Sequence, residues 1–189
     1  MKHLPFGFLA AAGLFGLFAV APRAGAALAA IELDTGWTVQ DAGRVAVPGA
    51  VLSQTTYVPV GWFAATVPGT ILTSLVNDGV YPEPLYGENN RPDRIPDSLC
   101  RASYWYRTEV AVPAAFAHRR IWLNFEGINY QAEVWVNGRA VGEIRGAFAR
   151  GNFDITARVV PGQSAVVAVH VYPQPNPGYT HEKTVYSGT

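Results

Sequence analysis

Two carboxylates stand out in "FEGINYQAEVWVNG", residues 125–138: Glu126 and Glu133. Paired carboxylates are the machinery of glycoside cleavage, one donating a proton while the other attacks or activates water. Retaining enzymes hold the two carboxyls about 5 Å apart, and inverting ones about 6.5–9.5 Å. Nothing in the sequence fixes such a geometry here. Glu133 falls on an outward mid-strand position, where a glutamate ordinarily keeps a face wet, and Glu126 precedes Gly127 at a strand end. No catalytic residue is assigned on this basis. His118, His170 and His181 are widely spaced, so no metal set is expected. His170 alternates with valines and reads as a satisfied strand histidine. Cys100 is the only cysteine, which excludes an internal disulfide; it reads as a small semi-buried residue rather than a nucleophile. There is no G-x-S-x-G, no Gly-rich phosphate loop and no H-E-x-x-H, and no cofactor is expected.

The aromatics say more. Five Trp and nine Tyr are many for a chain of this size. A pyranose packs its C–H face on an aromatic ring, while Asn, Asp and Glu bond its hydroxyls. In "SYWYRTEV", Trp105 and Arg107 share one face and Tyr104 and Tyr106 the other. One of these sets must be core, so about half of these aromatics are structural by parity.

The elements that would position these groups are short strands. Apolar residues make up 49% of the chain and charged residues 15%, which argues against disorder. The formal charge is zero, so nothing attracts a polyanion and nucleic acid is not an expected partner. The spacing predicts strands at 37–40, 104–112, 121–125, 132–136, 140–144 and 166–172. Ile121, Leu123 and Phe125 point one way, and Trp122 and Asn124 the other. Ala132, Val134 and Val136 face the core; Glu133, Trp135 and Asn137 face out. Asn137-Gly138 signals a type I′ hairpin, because both residues tolerate positive φ. "AVVAVHVY" is apolar on both faces, as a central sandwich strand would be.

One short helix is expected in "VPGTILTSLVNDGV", with Thr70 as N-cap and Gly79 as the stop. Residues 81–98 form an irregular loop with four prolines. A loop of that length is functional or a packed spacer. The expectation is an all-β sandwich over residues 27–175, with a linker or truncated loop at 176–189.

The first residues read as a targeting segment. Lys2 and His3 precede an apolar run that ends near Ala24-Gly25-Ala26, as in a cleaved signal peptide covering 1–26. The alternative is a membrane anchor, but the run carries glycines and is barely long enough to span about 30 Å. The mature chain would begin at Ala27, or at Ala30 from a second site. It is then exported, periplasmic or extracellular, and free of the membrane after cleavage.

Four stretches occur in order: "VPGTILTSLVNDGVYPEPLYGENN", "SYWYRTEVAVP", "RIWLNFEGINYQAEVWVNGRAVGEIRGAF" and "GNFDITARVVPGQSAVVAVHV". Together they resemble the N-terminal sugar-binding domain of glycoside hydrolase family 2 over most of residues 33–185. The tail "NPGYTHEKT" is most similar to the branch of exo-β-D-glucosaminidases and mannosylglycoprotein endo-β-mannosidases. The resemblance implies a jelly-roll, galactose-binding-like sandwich. It also implies an immunoglobulin-like domain and a (β/α)₈ barrel further along the same polypeptide, with the catalytic glutamates on the barrel. Carbohydrate is the implied partner. Contact with substrate would come from loops at the rim of the barrel site. The candidates are Tyr86, Asn89 and Asn90 in "PLYGENN", ahead of Glu88, and His181 and Glu182 in the tail. A stand-alone carbohydrate-binding module and a structural or adhesion sandwich are the rival readings.

Overall fold

The computed structural model describes residues 30–175. The targeting segment, His181 and Glu182 lie outside the described residues. Eight strands and three short helices follow in order: β1 (Thr38–Asp41), α1 (Gly49–Leu52), β2 (Phe63–Ala64), α2 (Ile71–Asn77), α3 (Ser98–Arg101), β3 (Tyr104–Ala111), β4 (Trp122–Phe125), β5 (Gln131–Val136), β6 (Arg139–Arg145), β7 (Gly151–Asp154) and β8 (Ser164–Tyr172). The large sheet runs β2-β1-β3-β8-β5-β6 and the small one pairs β4 with β7. All pairings are antiparallel.

The main core lies between the sheets. Ala132, Val134 and Val136 of β5 and Val167 and Val169 of β8 meet Ile121, Leu123 and Ile155 from the small-sheet side. Alternation along β4 and β5 is as the spacing predicts. Leu123 is buried beside exposed Trp122 and Asn124, and Ala132, Val134 and Val136 are fully buried. Strand β8 is flanked by β3 and β5, and residues 165–169 are buried on both faces.

A second core covers the outer face of the large sheet. Leu52 of α1, Trp105 and Ala168 form it, with Tyr57, Trp62 and Trp135 packed around them. This corrects the parity argument for β3. Tyr104, Trp105 and Arg107 are all buried, because a central strand here has apolar packing on each face.

Helix α2 forms for the reasons its sequence supplies. The Thr70 side chain accepts from the Thr73 amide at 3.0 Å. At the other end, Gly79 takes a left-handed φ of 75°, and Val80 N–H bonds back to the Leu75 carbonyl at 2.8 Å. The other helices, α1 and α3, are single turns of four residues without side-chain N-caps, too short to leave a periodic signal.

The Asn137-Gly138 turn is present, with φ of 46° and 82°. Its polar groups hold the fold together rather than facing solvent. The Asn137 carboxamide donates to the Arg158 carbonyl at 2.7 Å and accepts from Val166 N–H at 2.8 Å. Gly138 N–H donates to the hydroxyl of buried Ser53 at 3.0 Å. A Cβ at Gly138 would also lie 3.2 Å from the Ala50 carbonyl oxygen. Gly138→Val is therefore expected to lower stability by about 1–3 kcal/mol through backbone strain. Equal thermal midpoints for variant and wild type would contradict this.

Candidate functional site

Residues 81–97 fold as a chain of turns, and what they present follows from how they are braced. Ile95 is 3% exposed and plugs the loop into the body. The Asn89 carboxamide donates to the Glu83 carbonyl at 3.0 Å, and Leu85 N–H donates to the Glu83 carboxylate at 3.2 Å. Glu88 forms an exposed ion pair with Arg91. Gly87 has φ 57°, a left-handed turn that side-chain-bearing residues adopt rarely. The result is a protruding tip on which Leu85 is 93% and Tyr86 78% exposed. Asn90 is half-buried beside it.

Of the sequence candidates, then, Tyr86, Asn89 and Asn90 share one loop, with Tyr86 presented outward and Asn89 engaged in bracing it. At the foot of the loop a cavity of about 350 Å³ opens between β1, α2, α3 and β3. Gln40, Asp41, Arg44, Tyr81, Ser98 and Tyr104 give it polar walls, and Ile71, Leu75 and Leu99 are among its apolar ones. Sequence reasoning missed this cavity, because its walls come from four elements far apart in the chain. The Tyr104 hydroxyl donates to the Leu99 carbonyl at 2.8 Å. Burial, with Asp41 nearby, pushes the Tyr104 phenol far above its ordinary range.

The two carboxylates of the opening stretch are not a pair. Glu133 alternates with core residues on the large sheet and points away from the main core. Glu126 follows β4 on the small sheet and pairs with Arg150 at 3.1 Å. They belong to opposite layers of the sandwich. Among the described residues, no group of three or more His, Cys, Asp or Glu could hold a metal ion.

Two further expectations need correction. Cys100 is exposed rather than semi-buried, because its short helix lies on the surface; its thiol donates to the Asp97 carbonyl. His170 is not satisfied: Nε2 is buried without a hydrogen-bond partner. Its ring instead stacks on Trp105, with centroids 4.4 Å apart, and leans on Tyr172 at 4.2 Å. Register explains this, since Trp105, His170 and Glu133 occupy one row across β3, β8 and β5. Trp135 faces out from the sheet as expected and packs on neighbours, its ring lying against Gly49 of α1.

Burial lowers the His170 pKa below 6.5, with Glu133 opposing the shift. The unfolded chain therefore binds a proton that the folded chain refuses, between the lowered value and 6.5. Stability from this group is complete above pH 6.5 and declines as pH falls through that window. His170→Phe keeps a ring in the stack and should remove that component. Melting curves between about pH 5 and 8 test it; an identical pH dependence for variant and wild type would contradict it.

A family model described as glycosyl hydrolase 2 galactose-binding domain-like matches residues 37–186. An exo-β-D-glucosaminidase of Streptomyces avermitilis is 33% identical over 150 residues, covering 77% of this chain and 16% of that protein. A mannosylglycoprotein endo-β-mannosidase of Lilium longiflorum is 33% identical over 152 residues, again covering 77% and 16%. Among solved structures, the exo-chitosanase CsxA of Amycolatopsis orientalis superposes with a TM-score of 0.65 at 32% identity, covering 75% of this chain and 16% of that one. The chain thus spans about a sixth of the length of these relatives, 16% of each. Two antiparallel sheets packed around an apolar core, and a family match running from Trp37 to Tyr186, make the chain a member of the galactose-binding-like N-terminal domains of glycoside hydrolase family 2.

Proposed function

We propose that the chain serves as the N-terminal domain of an exported, retaining β-glycosidase acting on β-glucosaminides or β-mannosides. The catalytic glutamates then belong to a barrel elsewhere in the same polypeptide, with an immunoglobulin-like domain between. The role of this domain is to lend the 81–97 loop to the rim of that site. One observation carries the reading: a braced loop holds Tyr86 78% exposed, while Glu126 and Glu133 sit on different layers. An exposed ring held by a rigid support can stack on a sugar without a large ordering cost. The activities named for the relatives supply the substrate classes, and the targeting segment read at residues 1–26 supports export.

The test is to purify these 189 residues and assay them on aryl β-glucosaminide and aryl β-mannoside. No turnover is expected. Glucosamine oligomers and mannose should bind no better than millimolar, about −4 kcal/mol. Two or three rim hydrogen bonds contribute only about 0.5–1.5 kcal/mol each. Turnover abolished by Glu126→Gln or Glu133→Gln would overturn the proposal. Micromolar binding without turnover would favour a stand-alone carbohydrate-binding module.

A further inference from the structure

The solvent face of the small sheet has a composition that packing does not require. Three cross-strand rungs lie along it. Trp122 faces Asp154 and Asn124 faces Asn152 in the β4–β7 register. One rung further, Glu126 pairs with Arg150 at 3.1 Å. Core residues Leu123 and Phe153 take the alternate positions and point inward. The stripe from 122 to 126 is about 14 Å long at strand spacing, which accommodates more than one sugar ring.

Trp122 is 50% exposed on this face. Half of that large indole stays open to a ligand, and Trp is among the side chains that most often anchor a binding surface. Its neighbours on the stripe are hydrogen-bonding groups. Asn124 and Asn152 are exposed, and each offers a carboxamide with two donors and an acceptor. Asp154 uses one oxygen, Oδ1, to accept from both the amide and the hydroxyl of Thr156, which fixes its rotamer and leaves Oδ2 to face outward partners. Those bonds, helped by Arg120, keep the carboxyl ionised by lowering its pKa.

The charges on the stripe are already offset. Glu126 has Arg150, and Asp154 has Arg120 close enough to favour its ionised form. Such a surface has no net charge to give to a polycation or a polyanion. It matches an uncharged, hydroxyl-rich chain that can lay a ring face on the indole and bond the amides beside it.

We propose that the outer face of β4–β7 is a second carbohydrate-binding surface, taking a neutral β-linked pyranose chain with one ring stacked on Trp122. Asn124, Asn152 and Asp154 bond the hydroxyls of that ring and its neighbour. The surface is distinct from the 81–97 loop. Its part would be to hold polymer near the enzyme, and it rests on the carbohydrate reading above only for that purpose.

The full chain is run in native gels cast with and without glucomannan, a neutral β-linked polymer. Wild type should be retarded, and Trp122→Ala should lose at least tenfold in apparent affinity while still unfolding in one cooperative transition. Trp122→Phe should retain part of the retardation, and Asn124→Ala and Asn152→Ala should each weaken it several-fold. Raising the salt concentration should change little, because charges are not the driving contact. A wild-type chain that is not retarded, or equal retardation of Trp122→Ala, overturns the proposal. Tighter retention on chitosan beads that salt abolishes overturns the assignment to a neutral chain. None of these readings involves turnover, so they fail or hold separately from the rim role of Tyr86.

Discussion

Arg107→Ala is expected to lower the stability of the chain by about 3–5 kcal/mol, the upper end for a single substitution. Arg107 is 6% exposed on β3. Its guanidinium donates to three backbone carbonyls: Leu52 at 3.1 Å, Gln54 at 3.1 Å and Tyr57 at 3.2 Å. It also lies 6.0 Å from the centroid of the Tyr57 ring. These bonds fasten the end of α1 and the turn after it to the outer face of the large sheet. A hydrogen bond to a charged donor contributes about 1.5–3 kcal/mol, and the three act as a unit rather than additively. Truncation leaves the carbonyls without that donor and opens the packing over Trp105. Burial lowers the Arg107 pKa, yet the fork of donors compensates for the desolvated charge. Arg107→Lys should recover only part of the loss, since one ammonium cannot reproduce the planar fork. Urea unfolding measures both; a loss under about 1 kcal/mol for Arg107→Ala would show that the second core does not depend on this residue.

If the intact polypeptide has the proposed glycosidase activity, Tyr86→Ala should lower its kcat/KM about tenfold, equivalent to about 1.4 kcal/mol of lost contact. The side chain is 78% exposed, so it contributes little to folding and its removal should leave stability within about 0.5 kcal/mol. The loss is expected mainly in KM if the ring meets the sugar equally in ground and transition states. Asn89→Ala should act differently. Its carboxamide braces the loop through the Glu83 carbonyl, so its loss loosens the tip as well as any contact with sugar. Unchanged kcat/KM for Tyr86→Ala would remove the loop from the site.

Much of the sandwich was legible because β-sheet parity is a local signal. The alternation in β4 and β5, the Asn137-Gly138 turn and the capped helix α2 can each be read from a few adjacent residues. What stayed hidden depends on contacts distant in sequence. Residues 42–62 fold over the large sheet through Leu52 and the Arg107 bonds, and no periodicity announces this. The stack of His170 on Trp105 needs the β3–β8 register, which neither strand reveals alone. Strand β2 has two residues, below what alternation can detect. As for the candidate site, the length and prolines of the 81–98 stretch marked a loop, but not which side chains its internal bonds consume. The answer for Asn137 and Trp135, in the stretch that suggested sugar chemistry, is structural: one holds the hairpin and the other packs on Gly49.

The most direct measurement is a crystal structure of the intact polypeptide with a glucosamine- or mannose-configured inhibitor bound. The expected result places the Tyr86 ring within about 4 Å of the sugar, at contact distance, with both catalytic carboxylates contributed from outside residues 30–175. A bound sugar flanked by Glu126 or Glu133, or a Tyr86 ring separated from it by the width of a packed layer, about 10 Å, would contradict the assignment of this domain to the rim.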